Sequence, residues 1–146
     1  MRHLSTQVSK KFSCVIIFVL MFLNNISCLK FTITDISKWD TSQAVNIEHM
    51  FQSASVFNRN LNQWNTKKIT EMKETFSFAE QFDGNISAWD TGNVVKMGKM
   101  FMKARVFNQD ISNWNTASVT NMEYMFDTAS AFNQDIGTWN VGKGKR

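Results

Sequence analysis

The chain has few of the residues from which disulfides, metal centres and active sites are built. Its two cysteines, Cys14 and Cys28, both lie in the N-terminal fifth of the sequence. If a leader that contains Cys14 is removed, at most one cysteine remains and no internal disulfide can form. His49 is the only histidine beyond that leader. A lone histidine without a repeated partner is typical of a surface residue rather than of a general base.

Other sites that carry chemistry are missing as well. No cluster of histidine and cysteine has the spacing of metal ligands, and no glycine-rich phosphate loop is present. Carboxylates are scattered, although Asp110, Asp135, Asn60 and Asn85 are candidates for a weak calcium-binding edge or for turn formers. Residues 36–142 carry nine basic and eleven acidic residues and so lack the basic stripe of a nucleic-acid-binding protein. The sequence therefore predicts no catalytic residue, cofactor or metal ion.

A sequence repeat runs through most of the chain. The tryptophans follow one another at one constant interval, at Trp39, Trp64, Trp89, Trp114 and Trp139. Phenylalanine recurs at two fixed offsets from the first four tryptophans, first at Phe51, Phe76, Phe101 and Phe126, and then at Phe57, Phe82, Phe107 and Phe132. A period of about 20–50 residues is typical of stacked units. These residues are therefore predicted to form the core of the repeat, with equivalent side chains in contact.

The spacing of the apolar residues also predicts secondary structure. The positions at offsets 8, 11, 12 and 15 from each tryptophan have the spacing of one helix face. In the fourth unit, Thr120 and Glu123 have the spacing of a capping box that would begin this helix. The polar segment around each tryptophan, such as residues 110–115, has no helical stripe and is predicted to be a short strand. The predicted fold class is α/β: a right-handed, leucine-rich-repeat-like solenoid with one short strand and one short helix per 25-residue coil, four full repeats and a partial fifth.

One long motif in the repeat has a family resemblance. From Met100 to Thr116 the chain reads Met-Phe-Met-Lys-Ala-Arg-Val-Phe-Asn-Gln-Asp-Ile-Ser-Asn-Trp-Asn-Thr. Over residues 36–140 this pattern resembles the BspA-like leucine-rich repeat family. The same repeat is also known as the mycoplasma-lipoprotein-type surface repeat. The resemblance implies a leucine-rich-repeat-like solenoid in secreted or surface-displayed proteins, some implicated in adhesion to host or matrix proteins, and it implies no catalytic residues. The departures from the pattern are Thr75, Gly98 and Asp83-Gly84-Asn85.

The N-terminus has the organisation of a secretory signal peptide. Arg2, Lys10 and Lys11 precede an apolar run at residues 12–23, and small residues follow it. The run is short for a membrane span, and the alternatives are an uncleaved anchor and a buried core segment. Cys28 is a candidate for lipidation as the first residue of a bacterial lipoprotein, or else an incidental thiol beside the cleavage point.

These features divide the chain into four regions. The prediction is a signal peptide at residues 1–27, or to 28, a lead-in at 28–35, the BspA-like repeat region at 36–141 and a basic tail at 142–146. The tail is either a solvated terminus or a weak tether to an anionic surface. No polar capping unit follows Trp139 in this sequence, and a fragment of a longer array would have the same feature.

Partner binding is expected at the positions that vary between units. On the predicted helices these are offsets 9, 10, 13 and 14 from each tryptophan, where Phe78, Met102 and Tyr124 are the apolar or aromatic exceptions. They are candidates for a partner-binding patch, or are scattered apolar surface residues. Asn85-Ile86-Ser87 is a glycosylation sequon, so Asn85 is a candidate glycosylation site in a eukaryotic secretory route.

Together these features predict a secreted or cell-surface repeat protein that is not an enzyme. It would act as a binding or adhesion module for a protein or another cell-surface macromolecule. The alternative is a passive structural spacer, or a fragment of a longer array, without a ligand of its own. No nucleic-acid partner is expected, and contact with a membrane is expected only through the leader or a lipid on Cys28.

Overall fold

The structure is a computed structural model that describes residues 36–142. The leader, the lead-in, Cys28 and residues 143–146 of the tail lie outside the described residues. Within residues 36–142 the only helix is one turn of 3-10 helix at Ile36–Lys38. Strand-like pairing there is limited to isolated parallel β-bridges, which join the equivalent residues Asn46, Glu71, Lys96 and Asn121.

The predicted α/β solenoid, with a helix and a strand in every unit, is wrong. The segment predicted to be helical consists of two successive four-residue turns. In the first unit, hydrogen bonds of 3.1 Å from Met50 N to Ile47 O and from Ala54 N to Phe51 O close them. In an α-helix, Phe51 N would bond to the Ile47 carbonyl four residues earlier. It donates instead to Thr75 O of the next unit, at 2.9 Å.

The third residue of each turn explains why no helix forms. We call the two turns of a unit the double turn, at residues 47–54, 72–79, 97–104 and 122–129. A β-turn with positive φ at its third residue is of type II, which normally has glycine there. A residue in the left-handed conformation interrupts a right-handed helix, and L-residues adopt that conformation singly rather than in runs. In the double turns these residues have φ between 54° and 60° and are His49, Ser53, Glu74, Phe78, Lys99, Lys103, Tyr124 and Thr128.

The capping box predicted in the fourth unit is wrong for the same reason. Thr120 Oγ1 donates to Val95 O of the preceding unit at 3.2 Å. The Glu123 amide donates to Asn121 Oδ1, also at 3.2 Å, rather than to the Thr120 hydroxyl, and the Thr120 amide donates to Val95 O at 2.8 Å rather than to the Glu123 carboxylate. Both groups therefore support turns and contacts between units.

The segment around each tryptophan is a pair of turns rather than the predicted strand. Trp114 N donates to Ile111 O at 3.1 Å and closes the first turn. Asn115 Oδ1 accepts a hydrogen bond from Ala117 N at 3.0 Å and supports the second. The residue after every tryptophan makes this same bond to the amide two residues ahead, as an Asx-turn requires: Asp40, Asn65, Asp90, Asn115 and Asn140.

Equivalent side chains of successive units are in contact, although turns take the place of helices and strands. Neighbouring tryptophan rings stack with centroids 6.2–6.4 Å apart and planes within 9°. Equivalent phenylalanines stack at 5.4–5.9 Å. Within each unit the two phenylalanine rings lie 3.9–4.2 Å apart. The expected contact of like with like is present, and it forms one continuous core.

Polar atoms of recurring repeat positions join each unit to the next. The indole N–H of Trp89 donates to Leu61 O at 2.9 Å, and Trp64, Trp114 and Trp139 make the equivalent bond. Thr91 Oγ1 donates to Asn115 O at 3.0 Å, with equivalents at Thr41, Thr66 and Thr116. A phenylalanine in place of tryptophan, or a valine in place of threonine, would keep an apolar side chain but leave the carbonyl without this donor. The hydrogen bonds therefore explain why tryptophan and threonine recur.

Two departures from the repeat pattern are accommodated by specific contacts. Thr75, where other units have methionine, is fully buried, and its Oγ1 lies 2.8 Å from Met72 O. Gly84 lies against the preceding unit so closely that a Cβ there would overlap the Arg59 carbonyl oxygen.

In the part of the chain that the structure describes, no helix is long and apolar enough to span a bilayer.

Candidate functional site

The double turns hold their variable residues in columns. Alternate amides of one double turn donate to carbonyls of the next, as from His49 N to Lys73 O at 3.1 Å and from Ser53 N to Ser77 O at 2.8 Å. The same bonds recur between the second and third units and between the third and fourth. Equivalent residues are therefore fixed one above another by the backbone, whichever side chains they carry.

The two left-handed positions of each unit carry the most varied side chains. The first column contains an imidazole, a carboxylate, an ammonium and a phenol, on His49, Glu74, Lys99 and Tyr124. The second column contains Ser53, Phe78, Lys103 and Thr128. A constant backbone thus presents different chemistry in each unit.

The structure brings two of the three predicted partner-binding residues together. Phe78 N donates to Met102 O at 2.8 Å, and both side chains are half-buried. Lys103 Nζ lies 4.5 Å from the centroid of the Phe78 ring, within the range of a cation–π contact. Tyr124 is 62% exposed, and no hydrogen bond or ring contact among residues 36–142 joins it to Phe78 or Met102. Not every variable position faces solvent, because Ser77 is fully buried.

Opposite charges lie one period apart on the surface of the double turns. Amine and carboxylate are separated by 3.2 Å in Lys96–Glu71, 3.8 Å in Lys73–Glu48 and 3.9 Å in Lys99–Glu74. Exposed pairs of this kind contribute about 0–1 kcal/mol each. They therefore favour one alignment of the units more than they stabilise the fold.

A shallow depression of about 460 Å³ lies on this charged surface. One of its lining residues is Gly98, the only glycine at its repeat position, where the other units have Glu48, Lys73 and Glu123. The sequence presented Gly98 only as a departure from the pattern inside a supposed helix. The neighbouring lysines and the missing side chain were the available indications of a depression. Its lining residues are Glu48, Lys73, Lys96, Gly98, Lys99, Asn121 and Glu123.

The acidic and amide residues proposed for a calcium-binding edge form turns. The side-chain oxygens of Asn60, Asn85, Asp110 and Asp135 each accept a hydrogen bond from the amide two residues ahead. Hydrogen bonds from the Ser112 backbone and then its side chain hold the pKa of Asp110 below its ordinary value. Within residues 36–142, no group of three or more His, Cys, Asp or Glu side chains could hold a metal ion.

The predicted glycosylation site, Asn85, has a defined environment. Asn85 is half-buried, and its Oδ1 accepts hydrogen bonds of 2.9 Å from both the amide and the hydroxyl of Ser87. Its backbone carbonyl accepts a bond of 3.0 Å from Leu61 N. Asn85 therefore sits in a turn that also joins two units.

The repeat is what relates this chain to a protein family. No curated protein and no solved structure matches the chain. The model of the family described as "Mycoplasma protein of unknown function, DUF285" matches residues 59–146. The matched region begins shortly before Trp64 and includes four of the five tryptophans. Since it covers more than half of the 146 residues, the chain belongs to the DUF285 family of Mycoplasma proteins of unknown function.

Proposed function

We propose that the chain is a non-catalytic repeat protein, secreted or displayed at the cell surface, that binds another macromolecule through the variable side chains of its double turns. The observation that carries the proposal is the set of eight left-handed residues, none of which is glycine. An L-residue in this conformation costs roughly 1–2 kcal/mol, and glycine avoids the steric part of that cost. Strained backbone of this kind clusters at binding sites, where the side chain itself is used.

The proposed location is supported by the sequence outside and inside the repeat. The segment at residues 1–27 has the basic and apolar parts of a secretory leader. The repeat resembles that of the BspA-like leucine-rich repeat family of secreted or surface-displayed proteins. Membership of the DUF285 family leaves the ligand open, which is why the double turns themselves are the basis for choosing a test.

A passive spacer would place different demands on the same chain. It would need the aromatic core and the hydrogen bonds between units, but not the side chains at the left-handed positions. Glycine at those positions would then relieve strain without any loss. A binding protein would lose affinity on the same changes while keeping or gaining stability, which is the trade-off expected of strained functional residues.

Glycine substitutions in the full chain separate the two roles. Tyr124→Gly, and Phe78→Gly combined with Met102→Ala, remove the candidate contact residues. Ser55→Gly is the matched control, because it introduces glycine at an exposed residue outside the double turns and the left-handed positions. Binding of the fluorescently labelled proteins to cultured epithelial cells and to coats of basement-membrane protein is measured as a function of concentration.

We expect saturable binding that falls by about tenfold in the Phe78 and Tyr124 variants, as for exposed aromatic anchors at an interface. The Ser55→Gly control should bind like the unmodified chain, and Tyr124→Gly should not lower the melting temperature. If binding never saturates, or if all variants bind alike, the binding role at these residues is refuted and the spacer role is favoured.

A further inference from the structure

We propose that the depression around Gly98 binds a sulfate or carboxylate group carried on a saccharide. The inference deepens the proposed function, on which it rests, by naming a ligand class for the double-turn surface. It concerns residues other than Phe78, Met102 and Tyr124, and therefore the two can fail separately.

The floor of the depression is fixed by packing. Gly98 is buried, and a Cβ at this position would overlap Asn121 Oδ1, so a larger residue cannot occupy it without moving Asn121. Asn121 is held by two hydrogen bonds, because its carbonyl accepts from Met97 N at 2.9 Å and its Oδ1 accepts from Glu123 N at 3.2 Å. The opening is therefore a stable feature of the backbone.

Three ammonium groups surround the opening. Lys73 belongs to the preceding unit, whereas Lys96 and Lys99 flank Gly98 in its own unit, and their side chains are 41–52% exposed. Each has carboxylate neighbours at 3.2–3.9 Å, from Glu48, Glu71 and Glu74. A lysine has three N–H donors, so an amine with one or two such neighbours can still donate to a ligand. The spare N–H donors of the three amines can therefore bind a negatively charged group beside these carboxylates.

The remaining lining residues indicate what carries that group. Glu48, Glu123 and Asn121 offer oxygen acceptors, which suit the hydroxyl groups of a sugar. A free inorganic anion would use only the lysines, whereas a saccharide that carries the anion would also donate hydrogen bonds to these acceptors. A nucleic acid needs an extended basic surface, whereas acidic residues outnumber basic ones in residues 36–142.

Calorimetric titration of the full chain tests the proposal with three probes: a fully sulfated heparin disaccharide, the same disaccharide without sulfate, and sodium sulfate. The variants are Lys73→Gln and Lys99→Gln. Lys68→Gln is the matched control, because it removes the same charge at an exposed lysine whose Nζ contacts Gln43 at 2.8 Å outside the depression. Amide chemical shifts of Gly98 and Asn121 report whether the probe binds at the depression.

We expect the sulfated disaccharide to bind saturably and more tightly than either of the other probes. Lys73→Gln and Lys99→Gln should weaken it by about fivefold or more, and Lys68→Gln by less than about twofold. The affinity should fall as salt is raised.

Three results would overturn the inference. The first is that the sulfated disaccharide shows no saturable binding. The second is that Lys68→Gln loses as much affinity as Lys73→Gln and Lys99→Gln, which indicates general charge attraction. The third is that free sulfate binds as tightly as the disaccharide, which indicates a simple anion site. Saturable cell binding by the unmodified chain, together with no binding of the sulfated disaccharide, would refute this inference alone. Loss of cell binding in Tyr124→Gly with intact disaccharide binding would support both proposals.

Discussion

The tryptophan stack predicts a gradient of mutational cost from the interior of the repeat region to its first unit. Trp89 is 3% exposed, and its ring lies 6.2 Å from those of both Trp64 and Trp114 and 5.9 Å from that of Phe76. Replacing it with alanine opens a cavity between two units, and such a change costs about 3–5 kcal/mol. Trp39 is half-buried and stacks on Trp64 at 6.4 Å. Trp39→Ala should therefore cost less than half as much.

A second substitution at the same site separates packing from hydrogen bonding. Trp89→Phe retains an aromatic ring but removes the indole N–H that donates to Leu61 O at 2.9 Å. An unsatisfied buried carbonyl costs about 1–3 kcal/mol, so this variant should lie between the unmodified chain and Trp89→Ala. Urea unfolding is followed by the fluorescence of the remaining tryptophans and compared with calorimetry, because repeat proteins need not unfold in two states. Equal costs at Trp39 and Trp89, or a cost at Trp89 below about 1 kcal/mol, would refute the reasoning.

The other predictions concern the backbone and the bonds between units. Ser53→Gly relieves the backbone strain of a left-handed residue with φ of 60°, so it should raise the free energy of unfolding by about 1 kcal/mol and the melting temperature with it. Ser55→Gly, outside the left-handed positions, should raise neither. Gly84→Ala forces a Cβ against the Arg59 carbonyl and should cost about 1–3 kcal/mol in urea unfolding; an unchanged midpoint would show that the units are farther apart. Thr91→Val keeps the side-chain volume but removes a bond of 3.0 Å to the next unit, and should cost about 1–3 kcal/mol.

The sequence was sufficient to identify the core but not the local conformation. A constant interval between tryptophans requires equivalent positions, and equivalent positions come into contact once units stack. The helix prediction rested on the separations among Ile47, Met50, Phe51 and Ala54, which are those of a helix face. Two successive turns bring the same residues inward, as the bonds that close the turns at Met50 and Ala54 demonstrate. Apolar spacing alone does not distinguish the two conformations.

The usual sequence indication of these turns is also missing. A type II turn is normally recognised by glycine or asparagine at its third position. Here Glu74, Lys99 and Tyr124 occupy that position, and two of these residue types favour helices. The interactions that hold the turns are hydrogen bonds to the next unit, such as the one from His49 N to Lys73 O, almost a full period along the chain. Propensity over a short window contains no information about them.

The candidate sites were predictable to different degrees. Phe78, Met102 and Tyr124 could be selected because they are apolar residues at variable positions, although only Phe78 and Met102 are in contact. The depression could not be derived, because it depends on how closely Gly98 approaches Asn121 in the following unit. Contacts of that kind depend on the conformation of both units rather than on the period.

The distribution of burial indicates which units can best maintain strained residues. The phenylalanine cores of the second and third units are fully buried, whereas the equivalent rings of the fourth unit, Phe126 and Phe132, are half-buried. A residue in a disfavoured backbone conformation persists only where its surroundings fix it, and the two central units have a neighbour on each side. The left-handed residues of these units are Glu74, Phe78, Lys99 and Lys103, and they include the Phe78–Lys103 contact and a lysine of the Gly98 depression. The best-supported backbone of the repeat thus carries most of the residues that are proposed to bind a partner.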